Sequence, residues 1–208
     1  NATASGSYAS AFGNSATAAG NGSTALGSSA TASGYVAIAL GEGATASGDA
    51  ATALGTSANA ANFGATALGY EATASGEGST ALGIYSTGSA EGSTALGLYS
   101  TASGYDATAL GYLTKASGPN ATALGATANA TGLSTTAVGN SAKALHASAT
   151  ALGDSALAFN VGSTALGGLT NASGWGSLAV GYFARAIANS TTAVGDGSYA
   201  LDTNSTAL

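Results

Sequence analysis

The sequence GYDATALGYLTKASGPNATALG, from Gly104 to Gly125, contains the repeat that decides the fold. ATALG occurs at 107–111 and again at 121–125, and the related TKASG lies between them at 114–118. The pattern extends along the chain in segments of seven residues, numbered here 1 to 7 so that position 5 is the glycine. Leu segments, with a large residue at position 4, alternate with Ser segments, in which position 4 is mostly Ser or Ala. The true repeat is therefore fourteen residues long.

The composition of the 208-residue chain excludes several classes of protein. A chain with 33 Gly and 6% charged residues could be disordered, but a disordered chain does not keep an uninterrupted repeat. The net charge of −6 argues against a nucleic-acid partner, and no apolar run is long enough to span a membrane. The absence of Cys excludes disulfides and thiolate-bound metals.

The residue pattern within each segment predicts a strand and a turn. Position 3 is Ala in every segment except at Gly88, and position 1 is always Ala, Ser or Thr. This period of two, followed by Gly and two turn-prone residues, is typical of a strand of five residues and a tight turn. Regularly spaced Gly and Thr argue against a helix. We therefore predict an all-β parallel solenoid, or β-roll, of about fifteen 14-residue coils.

The glycines at position 5 are expected to supply a positive φ at the strand ends. All exceptions lie in Ser segments. Three of them, Asn62, Asn160 and Asp202, are residues that tolerate the left-handed region. The other three, Ala90, His146 and Ala188, have no explanation from the sequence.

The charged residues indicate which side of each strand faces water. Position 2 of the Ser segments holds Lys115, Lys143 and Arg185, which are all the basic residues of the chain. An unpaired buried charge is costly, so positions 2 and 4 should face outward. The small residues at positions 1 and 3 should then close the interior of a thin coil. The alternative, with the leucines inside and an alanine face outside, remains open for the Leu segments.

If position 4 of the Leu segments also faces outward, an unbroken apolar ladder is exposed, which soluble monomers rarely tolerate. We therefore expect it to be an interface between chains. The predicted interface residues, called the Leu ladder, are Leu26, Leu40, Leu54, Leu68, Leu82, Leu96, Leu110, Leu124, Val138, Leu152, Leu166, Val180 and Val194.

Several segments resemble a known family. STALG at 23–27, 79–83, 93–97 and 163–167 resembles the S-V-A-I-G head motif of trimeric autotransporter adhesins, and ATASG at 30–34 resembles their outer-strand pattern. The resemblance covers the whole chain. It implies a left-handed β-roll, a homotrimer, and a place at the tip of a fibre on a Gram-negative outer membrane. It also implies attachment to host extracellular matrix or host cells.

The chain has no initiator Met, no signal-like segment and no coiled-coil heptads. We therefore expect residues 1–208 to be a single head domain cut from a longer fibre, whose signal peptide, neck, stalk and membrane anchor lie elsewhere. This segment itself should not insert into the membrane.

No residue pattern indicates catalysis, a cofactor or a metal site. His146 is the only His, so neither a triad nor a His cluster can form. The acidic residues fall in turns or, for Asp202, at position 5, where we expect them to be solvated. The protein is therefore predicted not to be an enzyme.

Aromatic and apolar residues at outward positions predict a candidate ligand surface. It combines departures from the repeat near the C-terminus with two turn aromatics, and comprises Phe159, Arg185, Ile187, Tyr199, Leu201, Trp175 and Tyr105. Turn aromatics could instead cover neighbouring subunits, and the C-terminal patch could be covered by an adjacent segment of the fibre.

Three functions fit these observations. An adhesive head would bind matrix or cell-surface proteins through many weak contacts. A structural spacer would only hold another domain away from the cell. Ice binding would use Ser-segment hydroxyls such as those of Thr31 and Ser33, although Lys115, Lys143 and Arg185 interrupt that array.

Overall fold

The computed structural model describes residues 1–208 and contains thirty strands joined by turns. It is an all-β parallel solenoid of about fifteen coils, as the repeat predicts. No helix of the structure has the length and hydropathy needed to cross a bilayer. The chain divides into two compact parts, Asn1–Asp106 and Ala107–Leu208, and each is described by itself.

In the first part, Ser segments form the odd-numbered strands and Leu segments the even-numbered strands, in two separate parallel sheets. Paired residues are fourteen positions apart, as in Thr66 with Thr80. The strands are Thr3–Ala4 (β1), Ser10–Phe12 (β2), Thr17–Ala18 (β3), Thr24–Leu26 (β4), Thr31–Ala32 (β5), Ile38–Leu40 (β6), Thr45–Ala46 (β7), Thr52–Leu54 (β8), Asn59–Ala60 (β9), Thr66–Leu68 (β10), Thr73–Ala74 (β11), Thr80–Leu82 (β12), Thr87–Gly88 (β13), Thr94–Leu96 (β14) and Thr101–Ala102 (β15).

The second part is built in the same way, again with separate parallel sheets of Leu and Ser segments. Its strands are Thr108–Leu110 (β16), Lys115–Ala116 (β17), Thr122–Leu124 (β18), Asn129–Ala130 (β19), Thr136–Val138 (β20), Lys143–Ala144 (β21), Thr150–Leu152 (β22), Leu157–Ala158 (β23), Thr164–Leu166 (β24), Asn171–Ala172 (β25), Leu178–Val180 (β26), Arg185–Ala186 (β27), Thr192–Val194 (β28), Tyr199–Ala200 (β29) and Thr206–Ala207 (β30).

The strands are shorter than the predicted five residues, so that prediction was wrong. Complete Leu segments contribute three residues and Ser segments two. The remaining positions belong to turns, because the position 1 amide donates to the position 5 carbonyl of the preceding segment. The Ala51 amide, for example, lies 3.2 Å from the Gly48 carbonyl oxygen. Each turn also pairs with the next coil, as in the Ser29 amide with the Asn14 carbonyl at 2.8 Å.

The interior of the coils contains only small side chains. The buried hydrophobic residues are all Ala, at positions 1 and 3, and the largest fully buried side chains are those of Thr114, Thr135, Thr170 and Thr191. The prediction that positions 1 and 3 point inward is confirmed in both kinds of segment. The alternative, with leucines inside the coil, is wrong.

Hydroxyl groups inside the coils hydrogen-bond to the backbone of the turns. In the Leu segments, position 1 Ser and Thr side chains mostly donate to the position 5 carbonyl of the preceding segment. Ser79 Oγ lies 2.7 Å from the Gly76 carbonyl and Thr191 Oγ1 lies 2.6 Å from the Ala188 carbonyl. Most hydroxyls that replace a methyl group at position 1 are therefore paired, but the buried Oγ atoms of Ser23 and Ser205 have no hydrogen-bond partner.

Position 5 glycines are required for different reasons in the two kinds of segment. In a Leu segment, Gly69 has a φ of +139°, and a Cβ there would lie 2.5 Å from the Gly83 carbonyl oxygen. In a Ser segment, Gly20 has no positive φ, but a Cβ would lie 1.8 Å from the Gly34 carbonyl oxygen. At position 5 of a Leu segment, other residues are thus excluded both by the positive φ and by the close carbonyl of the next coil. At position 5 of a Ser segment, they are excluded by that close carbonyl alone.

This difference corrects the explanation given for the Ser-segment exceptions. Asn62, Asn160 and Asp202 do not have a positive φ, so their tolerance of the left-handed region is not the reason for their presence. In Ser segments the positive φ lies at position 7, as at Asn120 with a φ of 55°. An ordinary φ also admits Ala90, His146 and Ala188 once the backbone shifts to make room for a Cβ.

Two of these replacements gain a contact with the following coil. Asn62 Nδ2 donates to the Ser75 carbonyl oxygen at 2.6 Å. The His146 ring contacts the Phe159 carbonyl oxygen through Nδ1 in the same way. The shift in the backbone is therefore offset by a side-chain bond between coils.

Candidate interaction surfaces

The Leu ladder lies on the outside of the coils, where its side chains are partly exposed. Leu26, Leu54 and Leu68 keep 46%, 40% and 36% of their surface accessible. The rest is covered because each side chain packs beside the corresponding residue of the next coil, as Leu68 does beside Leu82. Within each part of the chain, this face therefore presents an apolar stripe flanked by Thr.

Positions 2 and 4 of the Ser segments form the opposite outer surface, called the Ser face. Lys115, Lys143 and Arg185 are exposed there, as predicted. None of the nine acidic residues occupies position 2 or 4 of any segment. The three cations of the chain thus share one face that has no carboxylate, although the net charge is −6.

The predicted ligand residues of this face are only partly brought together. Arg185 and Ile187 stand on one coil and Tyr199 and Leu201 on the next, since Arg185 pairs with Tyr199 in the sheet. The Arg185 guanidinium lies 5.6 Å from the centre of the Tyr199 ring, a cation–π arrangement. These four residues form one partly exposed cluster.

The remaining predicted ligand residues stand apart from that cluster. Phe159 is separated from Ile187 along position 4 by Ser173, and its ring packs 5.3 Å from the His146 ring. Trp175 lies in a turn, where its amide donates to Asn189 Oδ1 at 3.0 Å. Tyr105 belongs to the other part of the chain. The structure thus places these three as separate exposed aromatics.

Three tyrosines at the turns after consecutive Leu segments contact one another. Tyr70 and Tyr85 meet edge to face with centroids 5.4 Å apart, and Tyr85 stacks on Tyr99 at 4.9 Å. A hydrogen bond with Glu71 and the charge of that carboxylate, with a smaller contribution from Tyr85, raise the pKa of Tyr70 to about 12.

A cleft lies in the second part of the chain where Leu-segment turns meet the Ser face. It encloses about 270 Å³ and is open to solvent. We call it the corner cleft; its lining residues are Ser155, Leu157, Leu169, Thr170, Asn171, Phe183 and Arg185. They come from three consecutive coils, and the sheet register places Asn171 between Leu157 and Arg185.

Among these lining residues, the candidate ligand surface predicted from the sequence includes only Arg185. A signal for the others was present at position 7 of the Leu segments, where Leu169 and Phe183 replace the usual Ser, Gly or Thr. Their φ values are 56° and 57°. Bulky residues in that region cost roughly 1–2 kcal/mol each, so the turn itself does not favour them.

No group of three or more His, Asp or Glu side chains converges in a way that could hold a metal ion. The surfaces of the molecule are instead made of an apolar ladder, a hydroxyl-rich face with three cations, and aromatic turns.

Comparison with protein families gave one match, repeated along the chain. The family model of the YadA head domain repeat, which describes two copies, matches residues 4–30, 32–58, 60–86, 89–114, 102–128, 116–142, 130–156, 160–184 and 186–208. A search of curated proteins gave no significant match.

Proposed function

Because this chain belongs to the YadA head domain repeat family, we propose that it is the adhesive head of a trimeric autotransporter adhesin. Repeats of this family form a surface module of adhesins. The family has a structural adhesin fold and is not a family of enzymes. The finer proposal is a left-handed roll, assembled as a homotrimer and displayed on the outer membrane of a Gram-negative bacterium. Its partners would be host extracellular matrix or host cell-surface proteins.

The exposed Leu ladder is the observation that supports association of chains, and the number three in the proposal comes from the family. A stripe of large apolar side chains, each up to nearly half exposed, runs through each part of the chain. Covering it with other copies of the chain would remove this surface from water and leave the Ser face outside. Three chains would then present three Ser faces, with the cations and the turn aromatics facing the surroundings.

Adhesion through such a head would depend on repetition. Each coil offers a shallow surface, so a single contact should be weak, and simultaneous contacts by three chains and by many fibres would raise the overall affinity. The Arg185, Ile187, Tyr199 and Leu201 cluster is the candidate contact in the second part, because apolar and aromatic side chains replace the usual Thr and Ser there.

Adhesion of bacteria carrying the fibre to surfaces coated with matrix proteins tests this proposal. The key variant combines Ile187→Ser and Tyr199→Thr, which restore the residues common at those positions. A matched control, Thr31→Ala with Ser33→Ala, removes groups from the same face in the first part. We expect the key variant to reduce the number of attached bacteria about tenfold or more, because many weak contacts are lost together. Equal attachment of both variants would reject this cluster as the adhesive contact.

A structural spacer is the second candidate, and the first part of the chain favours it. There, positions 2 and 4 of the Ser segments carry only Thr, Ser, Ala and Asn. Such a face offers no distinct contact residue. Replacing residues 1–106 by an equal length of uniform repeats should then leave attachment unchanged, whereas loss of attachment would assign adhesion to that part.

A further inference from the structure

The corner cleft is made of departures from the repeat. Most coils have Ser, Gly or Thr at position 7 of the Leu segment and Thr or Asn at position 2 of the Ser segment. In the cleft, position 7 of the Leu segments is Leu169 and Phe183, and position 2 of the Ser segments is Leu157 and Arg185. The inward positions 1 and 3 of the same coils follow the repeat and are almost all fully buried. Coil packing therefore does not require the four cleft residues.

Two of these residues also strain the backbone. Leu169 and Phe183 have φ values of 56° and 57° although Gly or Asn suits that conformation better. Both side chains remain exposed, at 37% and 45%, so burial in the coil does not compensate for the strain. The same φ recurs at position 7 of other coils, as at Val36 and Leu113, so this conformation belongs to the repeat and only the choice of side chain distinguishes the cleft.

Arg185 gives the cleft its chemical character. The centre of the Tyr199 ring lies 5.6 Å from the Arg185 guanidinium. The ring contacts one face of the guanidinium and leaves the N–H groups of the guanidinium available to a ligand. Arginine presents these donors as a planar fork that matches a carboxylate. Asp154, which precedes the cleft residue Ser155, hydrogen-bonds elsewhere: its Oδ1 accepts from Asn140 at 2.9 Å and its Oδ2 from Ser155 at 3.2 Å.

We propose that the corner cleft binds a carboxylated monosaccharide at the end of a glycan. The carboxylate would pair with Arg185, the apolar face of the sugar ring would lie against Phe183 and Leu169, and Asn171 and Ser155 would bond to its hydroxyl or amide groups. This inference deepens the proposed adhesive function, on which its biological meaning rests.

The size and openness of the cleft favour this class of ligand. A volume of about 270 Å³ is slightly below the range of pockets for drug-sized molecules, and it suits a single sugar ring. The outer side of a ligand in an open cleft stays in water, which favours a molecule with many hydroxyl groups. The absence of carboxylates from positions 2 and 4 removes charge repulsion on the same face.

Calorimetric titration of the assembled protein with methyl glycosides tests the proposal. The probes are the α-methyl glycoside of N-acetylneuraminic acid, the methyl glycoside of glucuronic acid, and the carboxamide of each as a neutral control. We expect at least one acid to bind about tenfold more tightly than its amide, because the ionic hydrogen bonds to Arg185 are lost in the amide. Failure of both acids to bind, or equal binding of acid and amide, would overturn the proposal.

Two variants connect binding to the cleft. Arg185→Gln should weaken binding of the acid about tenfold or more, whereas Lys115→Gln, which removes one charge from the same sheet position outside the cleft, should change it less than about twofold. Equal effects would show general attraction to a positive face and would reject the site. The double variant Leu157→Thr with Phe183→Ser restores the repeat, should keep its circular dichroism and mass, and should not bind.

A peptide ending in Phe carries a carboxylate on an apolar group and is the competing ligand. Tighter binding of that peptide than of either sugar acid would overturn the assignment to glycans. The titration contains no cells, so it is independent of the adhesion assay. Sugar binding without adhesion would reject only the proposed function, and adhesion without sugar binding would reject only the cleft.

Discussion

Replacing Leu26, Leu54 and Leu68 together by Asp is expected to dissociate the trimer. In the single chain these residues keep 46%, 40% and 36% of their surface exposed. Complete burial of a Leu side chain stabilises by about 1.5–3 kcal/mol, so covering the remaining surface contributes roughly 0.5–1.4 kcal/mol at each position. Nine such positions in a trimer contribute roughly 5–12 kcal/mol. Their loss lowers the association constant by at least about a thousandfold, and the desolvation of the new carboxylates lowers it further.

Light scattering on a size-exclusion column measures this effect directly. The chain has a mass of 19.2 kDa, so the unmodified protein should elute at three times that mass and the triple variant at 19.2 kDa. The matched control is Ser47→Asp with Ser75→Asp, which adds carboxylates at the same position 4 of Ser segments and should remain trimeric. A monomeric unmodified protein, or a triple variant that keeps the trimer mass, would refute the assignment of the Leu ladder as the interface.

Two further outcomes follow from the geometry of the coils. Gly69→Ala should lower the thermal midpoint more than Gly76→Ala, because only Gly69 has a positive φ (+139°). In addition, the adjacent coils already have Asn62 and Ala90 at the position of Gly76. Equal shifts of the midpoint in calorimetry would contradict this reasoning. Glu71→Gln should return the pKa of Tyr70 from about 12 toward its ordinary value of 10.0, because the carboxylate that disfavours the phenolate is removed. Ultraviolet absorbance titration measures this pKa, and the Tyr70→Phe variant identifies the signal of Tyr70. Identical titration curves for the unmodified protein and the Glu71→Gln variant would contradict the prediction.

The sequence predicted the coil, its period and the direction of its side chains because these depend on a few repeated residues. Lys115 shows that position 2 of a Ser segment faces water, and alternation along the strand then places Ala116 inside. Strand length was predicted less well. It depends on where the turn hydrogen bonds close, and the bond from Ala51 to Gly48 uses backbone groups that carry no residue-specific signal.

The two roles of glycine could not be distinguished from the sequence either. Gly20 and Gly69 occupy the same position of the repeat, but only the structure shows that the first lacks a positive φ and that both lie against the carbonyl of the next coil. Binding clefts between coils are similarly hard to predict, since Leu169 and Arg185 meet across coils and not along the chain.

In a repeat protein, comparison of the repeats shows which positions the fold constrains and which positions are free to vary. Here positions 1, 3 and 5 are constrained by a core no wider than Thr and by backbone contact between coils. Outward and turn positions are not constrained in this way, so a chain that only served as a spacer should scatter its departures at random over them. Leu157, Leu169, Phe183 and Arg185 instead meet around one cleft. That concentration favours a contact role for the second part of the chain over a purely structural one.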